Sequence, residues 1–164
     1  VGQLPLYYNQ KNTGRPGPVS DVFWSRYADA PNEALYPFGF GLSYTRFEYS
    51  NLELAQSILP LGEPVAVTVQ LTNSGEYAGS EVVQLYIRDR VASTIRPIKE
   101  LKGFQKVNLA AGEAQQIRFI LGPDELGFYS GDGRFQIEPG NFDVFVGGSS
   151  VDTIQASFEW LEAE

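Results

Sequence analysis

The sequence predicts an all-β fold: an antiparallel sandwich of about seven short strands, preceded by an irregular N-terminal arm. Three observations lead there. Apolar and polar residues alternate with a period of two from Val65 onward, aromatic side chains make up 13% of the 164 residues, and 17 glycines and 10 prolines fall between the alternating stretches. β-branched and aromatic side chains suit a pleated, half-buried surface, and glycine and proline suit the reversals between strands. No segment sustains a helical period, and no internal repeat is present.

In chain order, Leu4, Leu6, Tyr7 and Tyr8 form a short apolar run that reads as a buried strand. Asn9 to Val19 then brings Asn12, Gly14, Pro16, Gly17 and Pro18, a density of turn formers that no helix survives. The chain divides near Tyr49, with residues 1–48 as arm and 49–164 as sandwich. Val65, Val67, Val69 and Leu71 mark one face of a strand that ends at the turn Asn73-Ser74-Gly75. Val83, Leu85 and Ile87 point inward on the next, with Gln84, Tyr86 and Arg88 outward. A loop through Ser93 to Pro97 leads to a strand over Leu101–Leu109, where Gly103 breaks the alternation and predicts a bulge.

Ala110-Ala111-Gly112-Glu113 reads as a turn before Ile117, Phe119 and Leu121. Gly131-Asp132-Gly133 has the composition of a tight hairpin tip before Phe135 and Ile137. Glu138-Pro139-Gly140-Asn141 reverses the chain again, and Phe142, Val144 and Val146 alternate up to Gly147-Gly148. A last strand sets Ile154, Ala156, Phe158 and Trp160 on one face. Turns spaced in this way indicate a sandwich of the immunoglobulin or fibronectin class, although alternation alone also allows a closed barrel.

Composition narrows the function. The net charge of −8 is spread singly from Asp21 to Glu164, which suits a self-repelling surface and opposes contact with a phosphate backbone, so no nucleic-acid partner is expected. No apolar run approaches the roughly 20 residues of a membrane span, and the N-terminus lacks the order of a signal peptide. Cysteine, histidine and methionine are all absent. The missing methionine marks Val1 as the expected start of a fragment or processed chain, and the missing thiols and imidazoles remove the common nucleophilic triads and most zinc sites. A Ser-Lys pair is formally allowed but has no supporting motif. Neither a phosphate loop nor a dinucleotide fingerprint occurs, so no cofactor is expected.

Paired carboxylates matter because two of them suffice for glycoside hydrolysis. The candidates here are Asp124 with Glu125, Asp132 at a hairpin tip, and Asp89 beside Arg90, and each reads more simply as a solvated turn or edge charge. Asp132-Gly133 lacks the spaced oxygen ligands of a calcium loop, so no metal site is expected. Among the aromatics, Phe119, Phe135, Phe142, Phe158 and Trp160 follow the inward alternation and read as core. Tyr36-Pro37-Phe38-Gly39-Phe40-Gly41-Leu42-Ser43-Tyr44 matches no regular element. Such a segment either packs on its own sandwich or leaves an apolar patch, which favours an interface over a sugar site.

Several stretches, taken together, resemble family-3 glycoside hydrolases. Leu4-Pro5-Leu6-Tyr7-Tyr8-Asn9 with Lys11 to Pro16 is similar to the end of that family's second domain. Ser25-Arg26-Tyr27 and Leu35 to Thr45 with Phe47 resemble its linker into a fibronectin type III-like domain. Asn73, Gly75, Gly79, Val82 to Tyr86, Arg96-Pro97, Lys99 to Phe104, Gly112-Glu113, Glu138-Pro139-Gly140 and Gly147 follow in the family's order. The likeness is greatest to bacterial periplasmic β-glucosidases.

The resemblance implies a periplasmic or secreted parent acting on β-glucosides, with the aspartate nucleophile and the acid/base carboxylate both upstream of Val1. No residue of this chain then inherits a catalytic role. It implies contact with the upstream catalytic domains through Tyr36, Pro37, Phe38, Phe40, Leu42 and Tyr44, and it leaves pairing of two parent copies open. The alternatives are a carbohydrate-binding module, for which an outward Tyr86 is a candidate, and an adhesion module.

Overall fold

The computed structural model describes residues 6–11 and 31–162. Leu4, the turn-rich stretch from Asn12, and Ser25-Arg26-Tyr27 lie outside the described residues. The strands are β1 (Phe47–Leu54), β2 (Ile58–Pro60), β3 (Val65–Asn73), β4 (Gly79–Asp89), β5 (Glu100–Leu109), β6 (Ala114–Leu121), β7 (Phe128–Tyr129), β8 (Phe135–Gln136), β9 (Gly140–Gly147) and β10 (Thr153–Leu161). A single turn of helix, α1 (Pro123–Leu126), follows β6. Seven of the strands are eight or more residues long.

They form two separate sheets, β1-β3-β6 and β2-β10-β9-β4-β5, with β7-β8 as a small ribbon, so the fold is a sandwich and not a closed barrel. Pairing is antiparallel except where β2 lies parallel to β10. The core lies between the facing rows predicted by alternation. Val65, Val67, Val69 and Leu71 with Ile117, Phe119 and Leu121 meet Val83, Leu85, Ile87, Phe142, Val144, Val146, Phe158 and Trp160. Phe142 stacks on Phe158 at 5.3 Å and meets Trp160 edge-on. The indole nitrogen of Trp160 donates to the Glu63 carbonyl at 2.9 Å, so its polar edge is satisfied inside the core.

The Gly103 bulge is present: Leu85 faces Gly103 but Tyr86 faces Leu101. A Cβ on Gly103 would press on the Phe119 ring at 3.0 Å, so the same residue also lets the sheets close together. Gly112 and Gly133 hold positive φ in the two predicted turns. Phe135 departs from expectation. It is 44% exposed and packs edge-on against Tyr129, because β7-β8 forms a ribbon outside both sheets.

β1 has no clear alternation in the sequence. Asn51 takes φ 50, and the register with β3 shifts between Ser50 and Glu53. Phe47 and Tyr49 before the shift, and Leu52 and Leu54 after it, all pack on the core. The change of phase within one strand erases the period of two.

Candidate docking surface

Part of the outer face of the larger sheet, over Gln84 and Tyr86, is covered by the arm. Gln84 and Tyr86, read from alternation as outward and exposed, are both buried. This corrects the reading of Tyr86 as a surface platform for sugar. Tyr8 meets Tyr86 edge-on at 5.8 Å and stacks on Phe38 at 4.3 Å, so two arm residues far apart in sequence close over the sheet together. Burial, and secondarily Tyr8, push the Tyr86 phenol up to about 12. Its hydroxyl donates to Oε1 of Gln84, whose amide nitrogen donates to the Gly148 carbonyl at 2.5 Å. Lys99 lies 4.2 Å from the Phe145 ring and donates to the Ser150 carbonyl at 2.7 Å. Burial draws its ammonium below the ordinary lysine range.

The arm is pinned at two places. Pro37 to Phe40 makes a turn closed by a 3.0 Å bond from the Phe40 amide to the Pro37 carbonyl, with Gly39 at φ 82, as a type II turn requires. A Cβ at Gly39 would collide with the Gln84 amide, so glycine is needed for close approach as well as for its dihedral. The Phe38 carbonyl accepts from the Ser150 amide at 2.8 Å. At the other place Lys11 bridges to Pro97, and the Gln10 carbonyl accepts from the Ile98 amide at 2.9 Å.

Around the second of these pins, the described apolar side chains of the arm are exposed. Leu42 is 93% exposed and Tyr44 is 98% exposed, with Leu35, Tyr36, Phe38 and Phe40 also exposed and Pro37 half-buried. Tyr36 and Phe40 rings lie 5.4 Å apart. Of the six residues expected to form an interface, Phe38 is shared between Tyr8 and solvent, while Tyr36, Phe40, Leu42 and Tyr44 are exposed.

Of the carboxylates that carry candidate chemistry, Asp132, Glu125 and Asp89 are engaged locally. Asp132 bonds Ser130 and lies 3.2 Å from Arg134. Glu125 accepts from the Gly122 amide at 2.8 Å, and Asp124 is exposed beside it. Asp89 accepts from the Val91 amide at 3.2 Å. Arg90 instead pairs with Asp143 at 2.6 Å. Burial raises the Asp143 carboxyl, but hydrogen bonds from Arg90 and Ser157 and the charges of Arg90 and Arg88 outweigh it, leaving the group below the ordinary aspartate range. Among the described residues no group of three or more acidic side chains could hold a metal ion, and no helix is long and apolar enough to cross a membrane.

The family model for fibronectin type III-like domains matches residues 81–150. The chain is 42% identical over 163 residues to the periplasmic β-glucosidase of Salmonella typhimurium, covering 98% of this chain and 21% of that protein. It is 40% identical over 150 residues to a β-xylosidase of Formosa agariphila, covering 92% of this chain and 20% of that one. The β-glucosidase structure from Listeria innocua superposes with a TM-score of 0.91 at 42% identity, over 99% of this chain and 22% of that chain.

Two packed antiparallel sheets and this match define the class: the chain carries a fibronectin type III-like β-sandwich domain. It corresponds to the C-terminal, fibronectin type III-like part of family-3 β-glucosidases, and spans about a fifth of the length of the curated relatives it matches.

Proposed function

We propose that this chain is the non-catalytic accessory domain of a family-3 β-glucosidase, and that it buttresses the catalytic domains of the same polypeptide through Tyr36, Pro37, Phe38, Phe40, Leu42 and Tyr44. The carrying observation is the state of the arm. Gly39 and the Phe38 carbonyl are fixed on the sheet, yet Leu42 and Tyr44 next to them are almost wholly exposed. Pinning an apolar segment and leaving its side chains in water orders them for a partner surface, since exposed apolar clusters of this kind mark interfaces.

Residues 1–48 act as the connection and residues 49–164 as the buttress. The parent hydrolyses terminal β-glucosyl bonds with carboxylates supplied by its other domains, and this chain meets substrate only through them. The parent is periplasmic or secreted; the Salmonella relative, named as periplasmic, supports that compartment. The test is hydrolysis of a chromogenic β-glucoside by this chain and by the longer polypeptide. Turnover by the longer polypeptide alone is expected, and turnover by the isolated chain overturns the proposal.

A further inference from the structure

One carboxyl lies between the two sheets. Glu81 belongs to the inward series of β4 that continues through Val83, Leu85 and Ile87, and it is half-buried at the rim of the core. Across the gap, the Tyr49 hydroxyl on β1 donates to its Oε1 at 2.8 Å, which joins the smaller sheet to the larger one.

The turn from β9 to β10 closes over this pair. A Cβ on Gly148 would meet Glu81 Oε1 at 2.6 Å and the Tyr49 hydroxyl at 3.6 Å, so the turn backbone rests directly on the carboxyl. The same turn holds the arm. The Gly148 carbonyl accepts from Gln84, the side chain against which Gly39 lies, and the Ser150 amide donates to the Phe38 carbonyl at 2.8 Å. Ser149 and Ser150 are buried, and the Asp152 amide donates to the Ser149 hydroxyl at 3.1 Å, so the turn is tied within itself.

Glu81 has no cation to balance it. Among the described residues no lysine or arginine forms an ion pair with it. Its register partner on β5 is the apolar Val107, while Lys106 stands opposite Val82, whose side chain is on the other face. Lys99 is engaged by the Ser150 carbonyl and the Thr153 hydroxyl. The ionisable groups acting on Glu81 are Tyr49 from β1 and Asp152 from the turn. Burial, foremost, disfavours its charge, the Tyr49 bond favours it, and Asp152 disfavours it again, which leaves the carboxyl above its ordinary value.

We infer that Glu81 is a pH-operated latch on the arm. When the carboxyl is protonated, β1, β4 and the β9–β10 turn are drawn together and Ser150 holds Phe38; when the carboxylate forms, the turn loosens and that pin weakens. The latch does not rest on the accessory-domain reading, since every contact in it lies within this chain. Its sign follows from linkage: a raised folded value means stabilisation fully present below the ordinary glutamate value of about 4.3 and lost as pH rises through the folded value.

Amide exchange of this chain from about pH 4 to about pH 8, corrected for the intrinsic pH dependence, tests it. Protection of residues 36–41 and 147–153 is expected to fall together, by about tenfold, as the carboxylate forms, while β3 and β6 keep theirs. Glu81→Gln should hold both segments at their acid level throughout. Tyr49→Phe, which removes the donor to the carboxylate, should move the transition to higher pH, and Asp152→Asn, which removes the repulsion, to lower pH. Followed by NMR in the unaltered chain, the Glu81 carboxyl carbon should titrate above the ordinary glutamate value with the same midpoint. A carboxyl titrating at or below that value, a transition that survives Glu81→Gln, or a change at 147–153 that leaves 36–41 untouched each overturns the latch.

Discussion

Asn73 shows how much one side chain holds in place. It is fully buried at the end of β3, where it donates to the carbonyls of Tyr77 at 2.8 Å and Leu109 at 3.1 Å and accepts from the Thr45 hydroxyl at 2.5 Å and the Gly75 amide at 3.2 Å. It thus ties the end of the arm to the β3–β4 turn and to β5. Asn73→Ala strands these groups without water and is expected to cost about 2 kcal/mol in urea-induced unfolding; a loss under about 0.5 kcal/mol would refute this account. Two carboxyls give opposite pH signatures. Burial, foremost, and the Asp152 charge raise Glu81 above its ordinary value, against a lowering bond from the Tyr49 hydroxyl at 2.8 Å. A raised folded value means that the Glu81 contribution is fully present below the unfolded value of about 4.3 and is lost as pH rises through the folded one. Glu81→Gln is therefore expected to raise the urea midpoint at pH 7 and to make no difference in acid. Asp143 is lowered, so its contribution is present above about 3.9 and lost as pH falls through its folded value. Asp143→Asn should cost stability at pH 7 and progressively less in acid.

At the scale of elements, the arm behaves as part of the larger sheet's cover. Its turn at Pro37 to Phe40 depends on Gly39, whose positive φ and contact with Gln84 both exclude a side chain. Gly39→Ala is expected to loosen the arm by about 1–3 kcal/mol. The readout is local: faster amide exchange or proteolysis over residues 31–46, with the unfolding midpoint of the sandwich nearly unchanged. A midpoint that falls sharply with no local loosening would show that the arm and the sandwich unfold as one unit. β1 gives a related lesson. Its bulge at Asn51 lets both halves of the strand contribute to one core, and the side-chain amide of Asn51 bonds Gln70 on β3 at 3.0 Å to hold that shift.

For the whole molecule, the decisive contrast is between covered and uncovered aromatics. Tyr86, Phe142, Phe158 and Trp160 are buried, whereas Tyr36, Phe40 and Tyr44 stand in solvent on an arm that is itself pinned. Joint substitution Tyr36→Ser with Leu42→Ser should change the stability of the isolated chain by no more than about 0.5 kcal/mol, as for other exposed positions. In the longer polypeptide the same pair should lower the thermal midpoint by several degrees. Equal small effects in both settings would mean that these side chains meet no partner domain.

The all-β class, the turns, the Gly103 bulge and most of the core were legible in the sequence, with a closed barrel still allowed, because alternation and turn chemistry are local and a strand buried on one face writes its orientation into every second residue. The sequence also marked the aromatic arm as an element without a regular structure. It did not reveal that Tyr86 is enclosed, that Phe135 is exposed, or that Gln10 lands against Ile98 of the β4–β5 loop and Gly39 against Gln84. Those outcomes depend on which segment, distant in the chain, lies over a given face, and alternation distinguishes the two faces of a strand without saying what covers either. Burial of the larger sheet on both sides over Gln84 and Tyr86 is a product of tertiary packing, since residues from the arm and the β9–β10 turn come together there.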